Sequence, residues 1–474
     1  MRYRSIIVFL IFISFTGYGQ EKWSLQKCVD YAVSHNLTVQ SAKYQFQLSK
    51  LTEAQSKKTL IPTLGGSLSA GYQHGLNENP ATGTLQSANF LSGGIGAQSN
   101  YTIFNWGARK NNIEANKLYA KADEVGIDRA KNDISLFVAN AFLQVMLRRE
   151  QVRISELQLQ QSQAQLENTR KLVDAGSQPE LNAIQIEAQV ARDSSALLQS
   201  QALVQQGIIN LKSYLNLDQS APFDIESPAI EAIPIDNISE LQPEAVYAFA
   251  EKNQPLQRML AIRVEGAKKQ VAAARGAMYP TLNAFGGLNS RLVNAKSPVL
   301  IEMPAQPTPA YVTVNGNKVP VFSPQRGIAG YEGIPFFDQL NRNFGQNIGL
   351  SINVPIFNQG ISRTQWERTK VNVLQTQLQD EQERVNLKTN IYNAYQDAFS
   401  ALQKYNATIR NVEVSQKALD FSKKRLDIGL LGTLDYIVTQ NNLFRARIEE
   451  VSNRYDYVFK MKVLEFYKGQ GLRL

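Results

Sequence analysis

The side chains that most often catalyse reactions or bind metals are scarce in this 474-residue chain, which has two histidines and one cysteine. Imidazole and thiolate groups act as bases, nucleophiles or metal ligands only where several such groups converge. His35 is predicted near a helix end, His74 in a loop, and Cys28 as a small buried side chain. No glycine-rich phosphate loop followed by Lys-Ser or Lys-Thr occurs in the sequence. The sequence therefore predicts no enzyme activity, no cofactor and no metal site.

The N-terminus is typical of a secretory signal peptide covering residues 1–19. Arg2 and Arg4 precede the apolar run IIVFLIFISF, and Gly-Tyr-Gly at 17–19 provides a small-residue cleavage site. A retained membrane anchor is the alternative, although the run is short for spanning a bilayer. Without these 19 residues the chain keeps 48 basic and 41 acidic residues, a net charge of +7. The signal peptide predicts an exported protein. The mild basic excess, with no dense basic block, predicts that it does not bind nucleic acid.

The sequence contains two copies of one module. Ile-Phe-Asn-x-Gly occurs at 103–107 and again at 356–360, a shift of 253 positions. In both copies another turn centred on glycine follows 69 residues after the last residue of this motif, at Gly176 and at Gly429. An unchanged interval of this length implies a rigid element, because loops vary in length. We therefore divide the mature chain into a first repeat at 20–217, a Pro-rich linker at 218–242 and a second repeat at 243–474.

Each repeat has two stretches that alternate apolar with small polar residues, which predicts strands at about 62–73, 92–104, 280–292 and 345–357. A soluble sandwich strand, with core on one side and water on the other, is the alternative. The strand length, the frequent Gly, Ser and Asn, and the flanking Tyr and Phe favour strands of an outer membrane. No apolar run beyond residue 20 approaches 18 residues. Membrane insertion would therefore have to use these strands.

Long polar stretches with almost no Gly or Pro predict helices at about 107–175 and 360–428, each roughly 100 Å long. Return helices are predicted at about 179–215 and 433–467. Pro62 and Pro280 end the helical stretch that precedes the first strand of each repeat. The second long helix carries a heptad stripe, here called the seam, made of Val371, Leu374, Leu378, Val385, Tyr392, Tyr395, Phe399, Leu402 and Ile409. This spacing is typical of a coiled coil; a solitary coiled coil is the alternative, which the strands oppose.

Four strands form an open sheet, and an open edge would leave backbone groups unsatisfied in hydrocarbon. The chain is therefore expected to oligomerise and close a barrel. Two copies would give eight strands, with an interior that side chains nearly fill. Three copies would give twelve strands around a water-filled channel, with the long helices forming a second, α-helical barrel continuous with it. The predicted fold class is thus an α+β membrane protein with two internal repeats.

The order and spacing of these motifs resemble the TolC family of outer-membrane efflux proteins across essentially the whole mature chain. The shared features are the Pro-x-Leu start of the first strand, the apolar-apolar-Asn-x-Gly junction between strand and helix, and the Gly-centred helix turn. The junction residues are Asn105 and Gly107 in the first repeat and Asn358 and Gly360 in the second. The resemblance implies a homotrimer in outer-membrane lipid of a Gram-negative bacterium, with a large periplasmic part. It also implies a periplasmic adaptor (membrane fusion protein) and an inner-membrane transporter as partners.

The resemblance places a periplasmic gate where the long helices turn, at Gly176 and Gly429. The family commonly has an Asp six residues after this glycine; Asp435 matches and Asn182 does not. At three further gate positions this chain has Val438, Leu426 and Leu431 instead of the family's polar residues, which suggests a partly apolar closure. The alternative for Asp435 is an acid in the first turn of a helix, where the helix dipole favours it.

The second repeat is longer than the first by an insertion at about 293–343, which the resemblance places outside the cell. Its prolines oppose a helix, and AYVTVNGNKVPVF predicts a hairpin that turns at Asn315 and Gly316. The segment is expected to be either a partial lid over the barrel mouth or a variable loop with no gating role.

These features favour a passive exit duct that carries drugs, detergents or metal ions from an inner-membrane transporter to the outside. An outer-membrane channel for type I protein secretion is an alternative that composition does not separate from it. A trimeric adhesin with a barrel anchor is a third reading. It is disfavoured because strands and helices alternate twice along the chain, whereas an adhesin gathers its anchor strands at one end.

Overall fold

The computed structural model describes residues 22–78, 83–228, 230, 233–294 and 296–469. The signal peptide expected at 1–19 lies outside these described residues. The chain divides into two compact units. The first takes the residues up to Thr52, Asn116–Ala267 and the residues from Asn372 onward, and the second takes Glu53–Ala115 and Lys268–Val371. Among the described residues, no helix has both the length and the apolar character needed to span a membrane.

Helices and strands follow one another in the same order in the two halves of the chain, except that the second half has two further strands and a short helix between its two sheet strands. The first half contains α1 (Leu25–His35), α2 (Leu37–Lys58), β1 (Thr63–Glu78), β2 (Leu85–Phe104), α3 (Ala108–Asp174) and α4 (Glu180–Leu215). The second half contains α5 (Pro243–Asn253), α6 (Pro255–Gly276), β3 (Thr281–Val293), β4 (Lys296–Val314), β5 (Asn317–Gly333), α7 (Phe336–Arg342), β6 (Gly345–Asn353), α8 (Ile361–Asp427) and α9 (Thr433–Tyr467). Both α3 and α8 have 67 residues.

The second unit is built on an antiparallel sheet with the strand order β1-β2-β3-β6. Its first two strands are longer than the sequence predicts, because their ladder continues as far as the pair Glu78 and Leu85. The last strand is shorter and ends at Asn353, two residues before Pro355, which has no N–H to donate to a ladder. Pro62 and Pro280 immediately precede β1 and β3, four residues after α2 and α6 have ended.

The segment predicted as an insertion forms a separate hairpin, in which β4 pairs with β5. The predicted turn is confirmed: Val314 faces Asn317, and Asn315 and Gly316 have φ angles of 51° and 83°. The hairpin is longer than the predicted segment and begins at Lys296. The short helix α7 then precedes β6, although the sequence does not predict a helix there. His74, expected in a loop, lies within β1, so that expectation is wrong.

The core of the first unit lies where α1, α3, α4 and α9 meet the linker. Its largest fully buried side chains include Phe142, Met146, Leu211, Leu215 and Ile225. A second cluster joins α5, α8 and α9 around Leu241, Ile391, Met461 and Leu464.

The linker is held to this core by hydrogen bonds and an ion pair. Arg149 on α3 donates to the carbonyl of Ile225 at 2.8 Å and forms an ion pair with Asp224. The backbone of Trp23 bonds to the linker on both sides of Ile225, at Asp224 and Glu226.

The seam of α8 is exposed over its first part and packs within the chain further along, where Tyr395 lies against the second cluster. The buried residues of this helix include Leu387, Ile391, Ala398 and Ala401, which follow one another at intervals of four, seven and three residues. Leu378 of the seam is 70% exposed, and Val371, Leu374 and Val385 are each more than half exposed. The first part of the seam, from Val371 to Val385, therefore remains on the surface of the single chain.

Candidate functional site: the sheet faces and the helix turns

The two faces of the four-stranded sheet differ in polarity. Cross-strand partners share a face, and Leu68 pairs with Ile95, which pairs with Ser290. The apolar members of this face are Leu64, Leu68, Tyr72, Leu76, Leu91, Ile95, Tyr101, Ile103, Leu282, Leu288, Ile348, Leu350 and Ile352. The opposite face carries Ser67, Ser69, Gln73, Gln98, Asn100, Asn283, Asn289, Asn347, Ser351 and Asn353. One face thus suits hydrocarbon, and the other suits water and small polar solutes.

The Asn-x-Gly junctions connect a strand to a long helix through two successive left-handed residues. Trp106 and Gly107 have φ angles of 52° and 75°, and Gln359 and Gly360 have 57° and 77°. A non-glycine residue rarely adopts this conformation, and a glycine adopts it without steric cost. The indole Nε1 of Trp106 donates to the carbonyl of Pro280 at 2.8 Å, which holds the residue in this conformation.

The asparagine of each junction bonds to the start of the helix that follows. The backbone carbonyl of Asn105 accepts from Ala108 N at 3.0 Å, and that of Asn358 accepts from Ile361 N at 3.1 Å. The side chain of Asn358 also donates to Ser362 Oγ at 2.7 Å. The local sequence therefore specifies both the reversal of the chain and the first turn of the helix.

Gly176 and Gly429 end the long helices with the same hydrogen-bond pattern. Both have a φ of 72°. Gly176 N donates to Val173 O and the next amide donates to Leu172 O, each at 2.8 Å. The matching bonds at Gly429 end on Leu426 O and Arg425 O, at 2.9 and 2.8 Å. This is the Schellman arrangement, in which a left-handed residue lets the last carbonyls of a helix find donors.

Asn182 and Asp435 lie in the first turn of their return helices. Asn182 N donates to Pro179 O at 3.1 Å, and its side chain bonds to Gln178 at 3.4 Å. The carbonyl of Asp435 accepts from Thr439 Oγ1 at 2.9 Å. The helix dipole favours a carboxylate at this position. Asp435 can therefore stabilise the start of its helix and also serve as a gate residue.

The three other predicted gate positions divide into packed and exposed residues. Leu426 is buried, and Leu431 packs against the same cluster beneath the turn, together with Tyr436 and Leu443. Burial of Tyr436 raises the pKa of its phenol, and the charge of Asp427 raises it further. Only Val438 is exposed. It shares the surface of this end of the helix pair with Ile428, Leu430 and Leu434, which are all more than half exposed.

A buried polar layer joins α3, α4 and α9, and the sequence analysis did not identify it. Ser162 Oγ and Gln189 Nε2 donate to the two oxygens of Asp193, at 2.5 and 2.8 Å. Gln440 Nε2 donates to Ser162 Oγ at 3.4 Å. All four side chains are less than 9% exposed. The sequence gives no clear sign of this layer, because helical periodicity alone predicts that a polar residue lies on the surface.

The histidines and the cysteine take structural positions. His35 stacks on Tyr31 at 4.0 Å between ring centroids, and His74 bonds to Asn89 across the β1–β2 ladder. Burial raises the pKa of the Cys28 thiol to about 12, which keeps it protonated and unreactive. Over the described residues, no group of three or more His, Cys, Asp or Glu side chains could hold a metal ion.

Comparison with known proteins identifies this architecture. The model of the outer membrane efflux protein family matches residues 29–217 and 246–469, most of the chain. The chain belongs to the outer membrane efflux protein family. The TolC-like resemblance of the motifs is thereby confirmed, and so is the location in the outer membrane.

The curated relatives of this family member have low sequence identity to it but align with most of its length. The pyoverdine export outer membrane protein OpmQ of Pseudomonas aeruginosa is 25% identical over 417 residues, covering 83% of this chain and 74% of that protein. Outer membrane protein TolC of Escherichia coli is 21% identical over 471 residues, covering 96% of this chain and 84% of that protein. The protein is thus an outer-membrane efflux channel.

Solved structures share the fold over nearly their whole length. VceC of Vibrio cholerae has a TM-score of 0.73 at 17% identity, covering 95% of this chain and 97% of that one. CusC has a TM-score of 0.69 at 16% identity, covering 96% and 95%. At these sequence identities the comparison shows a shared fold only.

Proposed function

We propose that this family member is the passive outer-membrane exit duct of a tripartite efflux system. Three copies close a twelve-stranded barrel, and small molecules such as drugs, detergents or metal ions leave through it. A periplasmic adaptor and an inner-membrane transporter supply the cargo and the energy, since family channels work with such partners. The main support for the proposal is that the sheet has two unpaired edges and one continuous apolar face.

The open edges require other copies of the chain. Over the described residues, β1 and β6 each have one ladder partner and one unpaired side. Ile348 on β6 is 92% exposed, and Leu64 on β1 is 81% exposed. In hydrocarbon each unpaired backbone group costs several kcal/mol. Pairing of β6 with β1 of the next copy removes both edges, and three copies give an interior wide enough for solutes.

The seam of α8 supports the same assembly. Its apolar side chains recur at heptad spacing, and those of its first part, from Val371 to Val385, are each more than half exposed. A stripe of this kind is stable in water when another helix covers it. We assign that covering helix to the neighbouring copy, so that each copy buries the seam of the next.

We place the gate at the two helix turns, with Gly176, Asn182, Gly429 and Asp435 at the periplasmic end. Leu426 and Leu431 are already packed, so closure uses the exposed apolar residues of this end, among them Leu434 and Val438. The junctions at Asn105, Gly107, Asn358 and Gly360 then mark the periplasmic ends of the strands that enter them.

In this orientation the β4–β5 hairpin is extracellular. We propose that it partly covers the barrel mouth. Its strands pair only with each other in the sheet ladders of the described chain, so it can move without breaking the membrane sheet.

The direct test is crosslinked co-purification of the tagged mature protein from its native membranes, followed by identification of the inner-membrane partner. A proton-driven transporter with its adaptor supports small-molecule efflux. An ATP-driven exporter redirects the assignment to protein secretion. Recovery of neither partner contradicts a tripartite duct.

A further inference from the structure

Helix α7 is attached to the sheet by buried polar side chains. Gln339 is 8% exposed, and its Oε1 accepts from the backbone N–H of Val293 at 2.7 Å. Its Nε2 donates to the carbonyl of Ile334 at 2.8 Å. One side chain thus ties the end of β3 to the segment that starts the helix.

Two further bonds fix the other end of α7. Ser290, which is 4% exposed, donates from Oγ to the carbonyl of Leu340 at 3.0 Å. Asn343 donates from Nδ2 to the carbonyl of Arg291 at 2.6 Å. The helix therefore has a defined position over β3, even though it is only seven residues long.

That position is on the apolar face of the sheet. Ser290 shares its face with Ile95 and Leu68, its successive cross-strand partners. Leu340 and Phe344 line a groove together with apolar residues of the same face, Leu68, Ile95 and Leu288. The helix thus extends the face that the proposed function assigns to lipid.

Three exposed phenylalanines lie on α7 and just after it, beside the exposed charges of Asp338 and Arg342. Phe337 is 79% exposed, and Phe336 and Phe344 are each more than half exposed. The rings of Phe336 and Phe337 contact each other edge to face, with centroids 5.4 Å apart. Three exposed phenylalanines within nine residues, continuous with an apolar sheet face, are typical of a surface that is covered in the assembled protein.

The height of α7 matches the edge of a hydrocarbon layer. Ser290 lies nine residues beyond Thr281, the first residue of β3. At roughly 3.3 Å per residue and a tilt of about 40°, this is about 23 Å above the start of the strand. The apolar band of an outer-membrane barrel is about 25 Å tall and has aromatic girdles at both borders. At the opposite border, near the start of β3, the rings of Phe104, Trp106 and Tyr279 contact one another and form such a girdle.

We propose that α7 is an interfacial anchor whose occupant is outer-membrane lipid. Phe336, Phe337 and Phe344 insert among acyl chains at the extracellular border and supply the girdle there. Lipid is favoured over another protein because the surface continues the apolar face of the membrane sheet. The inference rests on the proposed membrane-spanning sheet, and its test separates the two.

The test measures the depth of nitroxide spin labels in liposomes of phosphatidylcholine and phosphatidylglycerol. Labels are attached to Phe337→Cys, Leu68→Cys and Asn317→Cys, each in a Cys28→Ala background. Collision with oxygen reports lipid, and collision with a water-soluble nickel chelate reports water. We expect the label at 337 to collide with oxygen as the label at 68 does, and the label at 317, at the hairpin tip, to collide with nickel.

Each other outcome overturns a defined claim. Nickel access at 337 with oxygen access at 68 contradicts the lipid anchor alone. Nickel access at both 68 and 337 contradicts the membrane-spanning sheet as well. Strong spin–spin broadening at 337 shows contact with a second copy of the chain, which also overturns the lipid assignment.

Discussion

Lys462 and Glu465 form a buried ion pair on α9, with Nζ 2.8 Å from Oε2 and both residues 4% exposed. The remaining polar atoms bond to the linker. Lys462 Nζ also donates to the carbonyl of Pro234 at 2.5 Å, and Glu465 Oε1 accepts from Asp236 N at 2.8 Å. A buried pair is tolerated when its other lone pairs and protons are satisfied, as they are here. The pair therefore fixes the linker to the last helix.

Replacing Lys462 with Met should lower the free energy of unfolding by about 3–5 kcal/mol, because Glu465 is left buried without its partner. Replacing both residues, as Lys462→Met with Glu465→Gln, should recover part of this loss. Urea titration in detergent, followed by circular dichroism, measures the difference. The control is Lys460→Met, whose ion pair with the half-exposed Asp397 should contribute at most about 1 kcal/mol. Equal effects of the two lysine variants would contradict the assigned role of the buried pair.

The turn at Gly429 should be sensitive to backbone conformation alone. A Cβ at this position meets no atom within 4 Å, whereas its φ of 72° disfavours most side chains. Gly429→Ala should therefore destabilise the turn by about 1–2 kcal/mol, and Gly429→Asn by less, because Asn tolerates the left-handed region. Amide hydrogen exchange over residues 425–436 reads this local effect. Equal protection of the two variants and the parent would rule out a requirement for the left-handed turn.

Charge at the proposed gate should control ion selectivity. Asp435→Asn removes a carboxylate and should lower the ratio of cation to anion permeability in planar bilayers. Asn182→Asp adds one at the matching position and should raise the ratio, because charged rings at a water-filled constriction select counter-ions. Asp218→Asn, at the first residue of the linker, serves as the control. If neither gate variant differs from this control, the turns do not line the constriction.

A charge on the seam should prevent assembly without disturbing the fold of the chain. Leu378→Asp should yield monomers in detergent, because it places a carboxylate in a contact that we assign to a neighbouring copy. Gln379→Asp changes the adjacent, exposed position and should leave the assembly intact. Light scattering coupled to gel filtration gives the mass of each. An unchanged mass for Leu378→Asp would remove the seam from the interface.

Features specified by nearby residues could be predicted from the sequence. The Asn-x-Gly junctions, the glycine turns and the turn at Asn315 and Gly316 each depend on a left-handed residue, which the local sequence reveals. The predicted ends of the strands were less accurate than these turns. The length of β1 depends on its partner β2, and His74 was misplaced because adjacent glycine resembles a loop signal.

Features that depend on distant partners could not be predicted. α7 is too short to show a helical period, and it is held by bonds from Gln339 and Leu340 to Val293 and Ser290, which lie 46 and 50 positions earlier in the sequence. The polar layer around Asp193 needs three helices to form. The seam was visible as a pattern, but the sequence did not show which part of it would pack inside the chain and which would stay on the surface.

The measurement that tests the central claim most directly is the native mass of the mature protein released from detergent micelles. The account predicts three copies, because twelve strands leave a channel and the open edges of β1 and β6 are then all paired. A stable assembly of two copies, whose eight-stranded interior side chains would nearly fill, would contradict an exit duct. A monomer that remains folded in the membrane would contradict it as well.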